Sequence, residues 1–152
     1  MNSKLLSTLN PNIVLVALNI SRGDIKIPFA NFHDARPEAT DFKIRYAIKN
    51  TPLWGAYMTD IIKDFDEKIS GKVAKYLKEN KNFENENANF FLKELSDISS
   101  QNPTLIAFGN ETFNILKRKF ANRFKILKVP HYANYTGKEK YREQVQSIIT
   151  QI

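Results

Sequence analysis

Ile13-Val14-Leu15-Val16-Ala17-Leu18, followed at once by Asn19, is the stretch on which the fold turns. It is a continuous apolar run in which Ile13, Val14 and Val16 are β-branched. Polar residues do not alternate with apolar ones, so both faces of the segment must be covered, as they are in a strand of a parallel sheet. The run is also far too short to span a bilayer.

Outward from this strand, a long polar loop covers residues 19–41 and holds Gly23, Pro28 and Pro37. Asp41 stands where it would cap a helix running to Lys49, with Phe42, Tyr46 and Ile48 turned inward. Residues 54–62 read as a second buried strand ending near Thr59-Asp60. Residues 63–86 are polar and ambiguous, with Val73, Tyr76 and Leu77 at helical spacing. The Asn/Lys/Glu-rich residues 78–89 fit a loop or a helix start. Residues 87–99 form a clearer amphipathic helix, with Phe91, Leu92, Leu95 and Ile98 on one side.

Pro103 restarts the chain into a strand over residues 104–108. Gly109 breaks it, and Asn110 is placed to cap a helix over residues 111–120. Residues 124–129 are a fourth strand stopped by Pro130, and a last helix covers residues 138–149. This alternation implies an α/β fold, a three-layer α/β/α arrangement with a central four-stranded parallel sheet. No internal repeat is present.

The chain's 152 residues suit one domain, residues 1–152, with one sizeable core. With 42% hydrophobic residues, including eleven Phe and six Tyr, the chain is too apolar to be disordered. The lack of cysteine excludes disulfides, cysteine-ligated zinc and iron–sulfur clusters. His33 and His131 are the two histidines, too few for a histidine-rich metal site, so no metal and no cofactor are expected. No leader or membrane segment is visible, and a soluble, cytoplasmic monomer is the default expectation.

The net charge is +7, and no acid falls between Glu111 and Glu139, where Lys117, Arg118, Lys119, Arg123, Lys125, Lys128 and Lys138 lie. Glu84, Glu86, Glu94 and Asp97 make the opposite cluster. A basic face attracts phosphate polyanions and releases their counterions, although a merely solvated basic helix has the same composition. Charge permits nucleic acid without proving it.

Open α/β sheets bind ligands beyond the carboxyl ends of their strands. That rule selects Asn19-Ile20-Ser21, Thr59-Asp60, Gly109-Asn110 and His131-Tyr132. The loop after the first strand brings Phe29, Phe32 and His33 to the same edge. The expected cleft therefore carries amide, imidazole and aromatic groups. Each residue has a plainer reading beside it: Asn19 as a turn or cap residue, His131 as a loop hydrogen-bonder, Phe29 and Phe32 as core, Asp60 as a cap. Tyr132 and Tyr135 either line a ligand-facing loop or simply pack.

These segments resemble, in order, the motifs of the uracil-DNA glycosylase superfamily. Val16-Ala17-Leu18-Asn19-Ile20-Ser21 resembles the first motif, a strand ending in the polar residue that positions the attacking water. That residue is Asn in the mismatch-specific branch. Pro28-Phe29-Ala30 resembles the Pro-Phe-Ala of that branch, whose Phe stacks on the flipped base. Residues 54–61 are similar to the second strand with its Leu-Thr-Asp ending, and Ile106-Ala107-Phe108-Gly109-Asn110-Glu111 to the third strand before its helix. Val129-Pro130-His131-Tyr132 resembles the second active-site motif and the loop that enters DNA. Ile20-Ser21 stand in place of the family's Pro-Gly, and Tyr132-Ala133 in place of Pro-Ser.

The resemblance covers residues 12–150 and implies a uracil-DNA glycosylase-like fold and a metal-independent DNA glycosylase of base excision repair. Asn19 would orient water and His131 would donate to the developing charge on uracil O2. Phe29, Leu18, Ile20 and Asp60 would meet the flipped base, and Ser21, Tyr132, Asn134, Tyr135, Lys128, Lys138 and Arg142 the DNA. The partner would be uracil-containing DNA, single- or double-stranded. A binding relative that kept the cleft but lost efficient chemistry is the alternative. A nucleotide-binding doubly wound domain would want a Gly-rich phosphate loop, and Gly23 stands alone. His33-Asp34 resembles the pair of metal phosphohydrolases, but those need further histidines.

Overall fold

The computed structural model describes residues 7–21, 32–33, 36 and 38–152. Four parallel strands form one sheet: β1 (Asn10–Asn19), β2 (Ala56–Ile62), β3 (Thr104–Phe108) and β4 (Ile126–Val129), in the order β2-β1-β3-β4. β1 lies inside the sheet, and its residues 13–18 are all buried, as an apolar run without alternation requires. Fully burying a Val, Leu or Ile side chain is worth about 1.5–3 kcal/mol, so this one strand anchors both halves of the core.

Successive β1 side chains go to opposite faces. Val14, Val16 and Leu18 meet Val73 and Leu77 of α2 (Ser70–Glu79), Phe91 and Leu95 of α3 (Lys81–Asp97), and Ile115 and Leu116 of α4 (Asn110–Phe120). Ile13, Leu15 and Ala17 meet Ile44 and Ala47 of α1 (Phe42–Ile48) and Tyr141 and Val145 of α5 (Lys138–Gln146). The sheet is thus flanked by helices on both faces. Among the described residues no helix is long and apolar enough to cross a membrane.

Several boundaries differ from the sequence expectation, each for a local reason. β2 begins at Ala56, not Trp54, because Gly55 turns the chain into it. Gly55 has φ +86°, and a Cβ there would sit 2.1 Å from the Thr8 carbonyl oxygen, so only glycine fits. β2 reaches Ile62, the outer limit read from the sequence, where it pairs with Asn19, so Thr59 and Asp60 lie inside the sheet and not at its end. Two helices, not one, join β2 to β3, and the polar residues 78–89 belong almost wholly to them. Asp41 makes no side-chain cap bond, and Phe42 is exposed while Lys43 and Ile44 turn inward. Gly109 takes the N-cap position of α4, which frees Asn110 for another contact. Phe124 is core rather than strand, and after α5 the chain closes on a short 3-10 turn, Ile149–Gln151.

The sheet order explains where a ligand can sit. From β1 the chain goes to β2 on one side and then crosses to β3 on the other. The connections beyond the carboxyl ends of β1 and β3 therefore diverge and leave a crevice between them.

Candidate functional site

A cavity of about 770 Å³ occupies that crevice, within the range usual for small-molecule sites. Its walls come from the ends of three strands: Ala17 to Asn19 of β1, Phe108 of β3 with Gly109 after it, and residues 128–134 from β4 onward. The first turn of α4 and residues Glu67, Lys68 and Ser70 complete it.

Asn19 closes β1, and its side chain is tied down. Its Nδ2 donates to the carbonyls of Phe65 (2.8 Å), Glu67 (2.9 Å) and Ile20 (3.1 Å). Three carbonyl oxygens around one atom identify that atom as the amide nitrogen, because an oxygen there would face acceptors only. The amide thus pins the chain after β2 to the end of β1. Only its Oδ1 is left to serve a ligand.

His131 follows Pro130 at the end of β4. Its Nδ1 accepts the Ala133 N–H at 3.1 Å. An accepting Nδ1 places the proton on Nε2, and burial lowers the imidazole pKa from its ordinary value, so the ring is neutral at pH 7. The Tyr132 ring stacks on it at 4.3 Å, and Tyr132 in turn meets Phe108 edge-on. Gly109, with φ +84°, lies directly behind the imidazole, and a Cβ there would reach His131 Cβ at 3.5 Å. His131 therefore lines the cavity in a fixed frame, with Nε2–H as the one N–H donor of its ring.

Asn110, Glu111 and Thr112 place the first turn of α4 at the cavity wall. The opening N–H groups of a helix carry partial positive charge and favour anions. Thr112 is 1% exposed, and its Oγ1 has no protein hydrogen-bond partner. Lys128 donates to Asn110 Oδ1 at 3.0 Å and lies over the Phe113 ring.

The remaining sequence candidates are dispersed. Leu18, Ser21, Tyr132, Asn134 and Lys128 line the cavity with Asn19 and His131. Ile20 is half-buried and gives its carbonyl to Asn19 without lining the cavity. Asp60 is 4% exposed and sits within β2, level with Ala17, away from the cavity wall. Tyr135 is fully exposed at the tip of its loop. Lys138 and Arg142 lie over the Tyr46 ring, where α5 meets α1, rather than at the cavity. Phe29 lies outside the described residues.

Several residues of the site had no place in the sequence reading, among them Lys68, Ser70 and Thr112 at the cavity wall; Lys43 and Glu67 are the two with the most defined contacts. Lys43, buried on α1, donates to the carbonyls of Asn134 (3.0 Å) and Thr136 (2.9 Å), so it holds the loop after His131. A lysine next to the inward Ile44 was the available signal. Glu67 is an acidic residue of the cavity wall. Its Oε1 accepts the Ile69 N–H at 2.9 Å, and Oε2 is 3.7 Å from Lys72 Nζ. The Ile69 bond, aided by Lys72, lowers its pKa and keeps it ionised. Glu67 stands five residues beyond the end of β2 at Ile62, in a polar stretch that carries no sequence signal for it.

No protein-family model, curated protein or solved structure matches the chain.

Proposed function

We propose that the chain is a DNA glycosylase with a uracil-DNA glycosylase-like fold, hydrolysing the N-glycosidic bond of uracil or a related base turned out of the strand into the cavity. The observation that carries this reading is the meeting of Asn19 and a neutral, Nε2-protonated His131 in one cavity at the crevice of a four-stranded parallel sheet. Breaking the bond leaves negative charge on the base. A neutral imidazole donor meets that charge without first bringing a positive charge of its own into the cavity, and the opening N–H groups of α4 favour it as well. The net charge of +7 favours a polyanionic partner.

A second reading keeps DNA as the partner without turnover. It is favoured by the Asn19 amide, whose nitrogen is spent on three backbone carbonyls and which has no basic atom to take a proton from water.

Single-turnover incubation with uracil-containing oligonucleotides, single-stranded and opposite guanine or adenine, separates the two readings. Alkali then breaks any abasic site. The glycosylase reading expects strand breaks from the wild type and a loss of about 10²–10³-fold in His131→Ala, the usual cost of one oxyanion donor. Binding that weakens with salt, with no breaks at any enzyme excess, gives the second reading. Neither breaks nor binding sinks both.

A further inference from the structure

From the placement of Glu67 we infer that its carboxylate, rather than the Asn19 amide, is the group that aligns the attacking water in this cavity, with Asn19 as the residue that positions it. This rests on the glycosylase reading of the same site and names the part which that reading leaves without a base.

Glu67 and His131 line one cavity, contributed by the chain after β2 and the chain after β4. They are the anionic group and the neutral donor that a dissociative hydrolysis needs on opposite partners, the sugar and the base. Glu67 owes its position to β1: Asn19 Nδ2 holds the Glu67 carbonyl at 2.9 Å and the Phe65 carbonyl at 2.8 Å. The Ile69 N–H at 2.9 Å then fixes one carboxylate oxygen. Burial of the side chain is only partial, at 24% exposed, so the charge stays solvated enough to persist next to a water. Glu111 is the other carboxylate at the cavity, and Lys68 and Lys128 are its cations, with Lys72 behind Glu67.

In the step itself the bond from C1′ to the base nitrogen breaks, and its electron pair leaves with the base, where the His131 Nε2–H meets the charge. The water oxygen forms the new bond to C1′. The water's proton passes to the Glu67 carboxylate and from there to solvent, and the departing base takes its proton from solvent. A carboxylate with a lowered pKa is a weak base, so it takes the proton late, once C1′ is largely cationic. Until then it balances that positive charge.

The test compares wild type, Glu67→Gln and Lys72→Ala in single-turnover release of uracil, with DNA affinity and thermal midpoint measured alongside. Gln keeps an acceptor for the Ile69 N–H and removes the charge. Glu67→Gln should slow release about 10²–10⁴-fold, the range for a positioned acid–base group, with affinity and midpoint close to wild type. Lys72→Ala, which breaks the ion pair outside the cavity, should release base at nearly the wild-type rate. A Glu67→Gln variant as fast as wild type overturns the inference and leaves the glycosylase reading standing. So does Lys72→Ala slowing as much as Glu67→Gln, since Glu67 would then act only by holding its loop. A silent wild type overturns both at once.

Discussion

At the scale of single residues, the hydrogen bonds around Asn19 decide what a substitution there can do. If the side-chain carbonyl of Asn19 alone oriented water, Asn19→Asp would supply a stronger base and speed base release. The structure gives the amide nitrogen three carbonyl acceptors, at 2.8, 2.9 and 3.1 Å. A carboxylate oxygen in that place would face those carbonyls with nothing to donate. Losing hydrogen bonds and leaving acceptors opposed costs about 1–3 kcal/mol, so Asn19→Asp is expected to slow release by about tenfold to a hundredfold. A rate at or above wild type in single-turnover assays would mean that the amide is not an anchor. The places of Asn19 and His131 were legible because strand ends are visible as the limits of apolar runs. Their hydrogen bonds were not, since the partners of Asn19 are backbone atoms of Phe65 and Glu67 after another strand. Backbone acceptors leave no mark in side-chain types.

Among the elements, the strands announced themselves and α3 did not. β3 matches its apolar run residue for residue, and β1 extends its run into polar neighbours because the pairing continues there. In α3, by contrast, the inward face begins with Glu84 and Asn87, which a hydrophobic pattern reads as loop. Glu84 is fully buried, and Arg118 Nε at 2.6 Å and Lys119 Nζ at 3.3 Å, both from α4, approach its carboxylate. Asn87 takes the Lys63 N–H at 2.5 Å and gives its own N–H to the Phe83 carbonyl. The stabilising partners are 34 residues away in the case of Arg118, beyond any local window. Burial alone would raise the Glu84 pKa, but the Arg118 and Lys119 contacts outweigh it, and the carboxyl is held below its usual range. Arg118→Met takes the closest cation from a buried anion. Arg118 is partly exposed, so the cost should be about 1–3 kcal/mol, below the 3–5 typical of fully buried pairs. In urea unfolding, Glu84→Leu combined with Arg118→Met should recover much of what Arg118→Met alone loses. Additive losses would show that the pair is not coupled.

For the molecule as a whole, the shifted ionisations add up to a definite profile of stability against pH. His131, Glu67 and Glu84 all have folded pKa values below their ordinary ones. A depressed value means that the unfolded chain takes up the proton first. The stability contributed by such a group is complete above its unfolded pKa and is lost as pH falls through the folded one. On the acid side the midpoint should therefore begin a gentle fall below about 6.5, the free imidazole value, and a steeper one below about 4.3, the free glutamate value. Tyr57 and Tyr141 run the other way. Burial raises both phenols, helped at Tyr57 by the Glu94 carboxylate, which its hydroxyl meets at 2.7 Å, and at Tyr141 by Tyr132. Their contribution is complete below about 10 and is lost as the unfolded chain ionises above it. Thermal unfolding followed from pH 3 to 11 should show a plateau from about 7 to about 10. The Tyr141 hydroxyl is buried without a protein hydrogen-bond partner. Tyr141→Phe should therefore leave the plateau as high or higher and soften the alkaline fall, because the variant removes an ionisable group that gives no bond in return. A plateau that loses more than about 1 kcal/mol in Tyr141→Phe would show that the hydroxyl holds a partner in solution. A wild-type fall beginning well below pH 10 would show that the phenols are not the groups governing the alkaline limit.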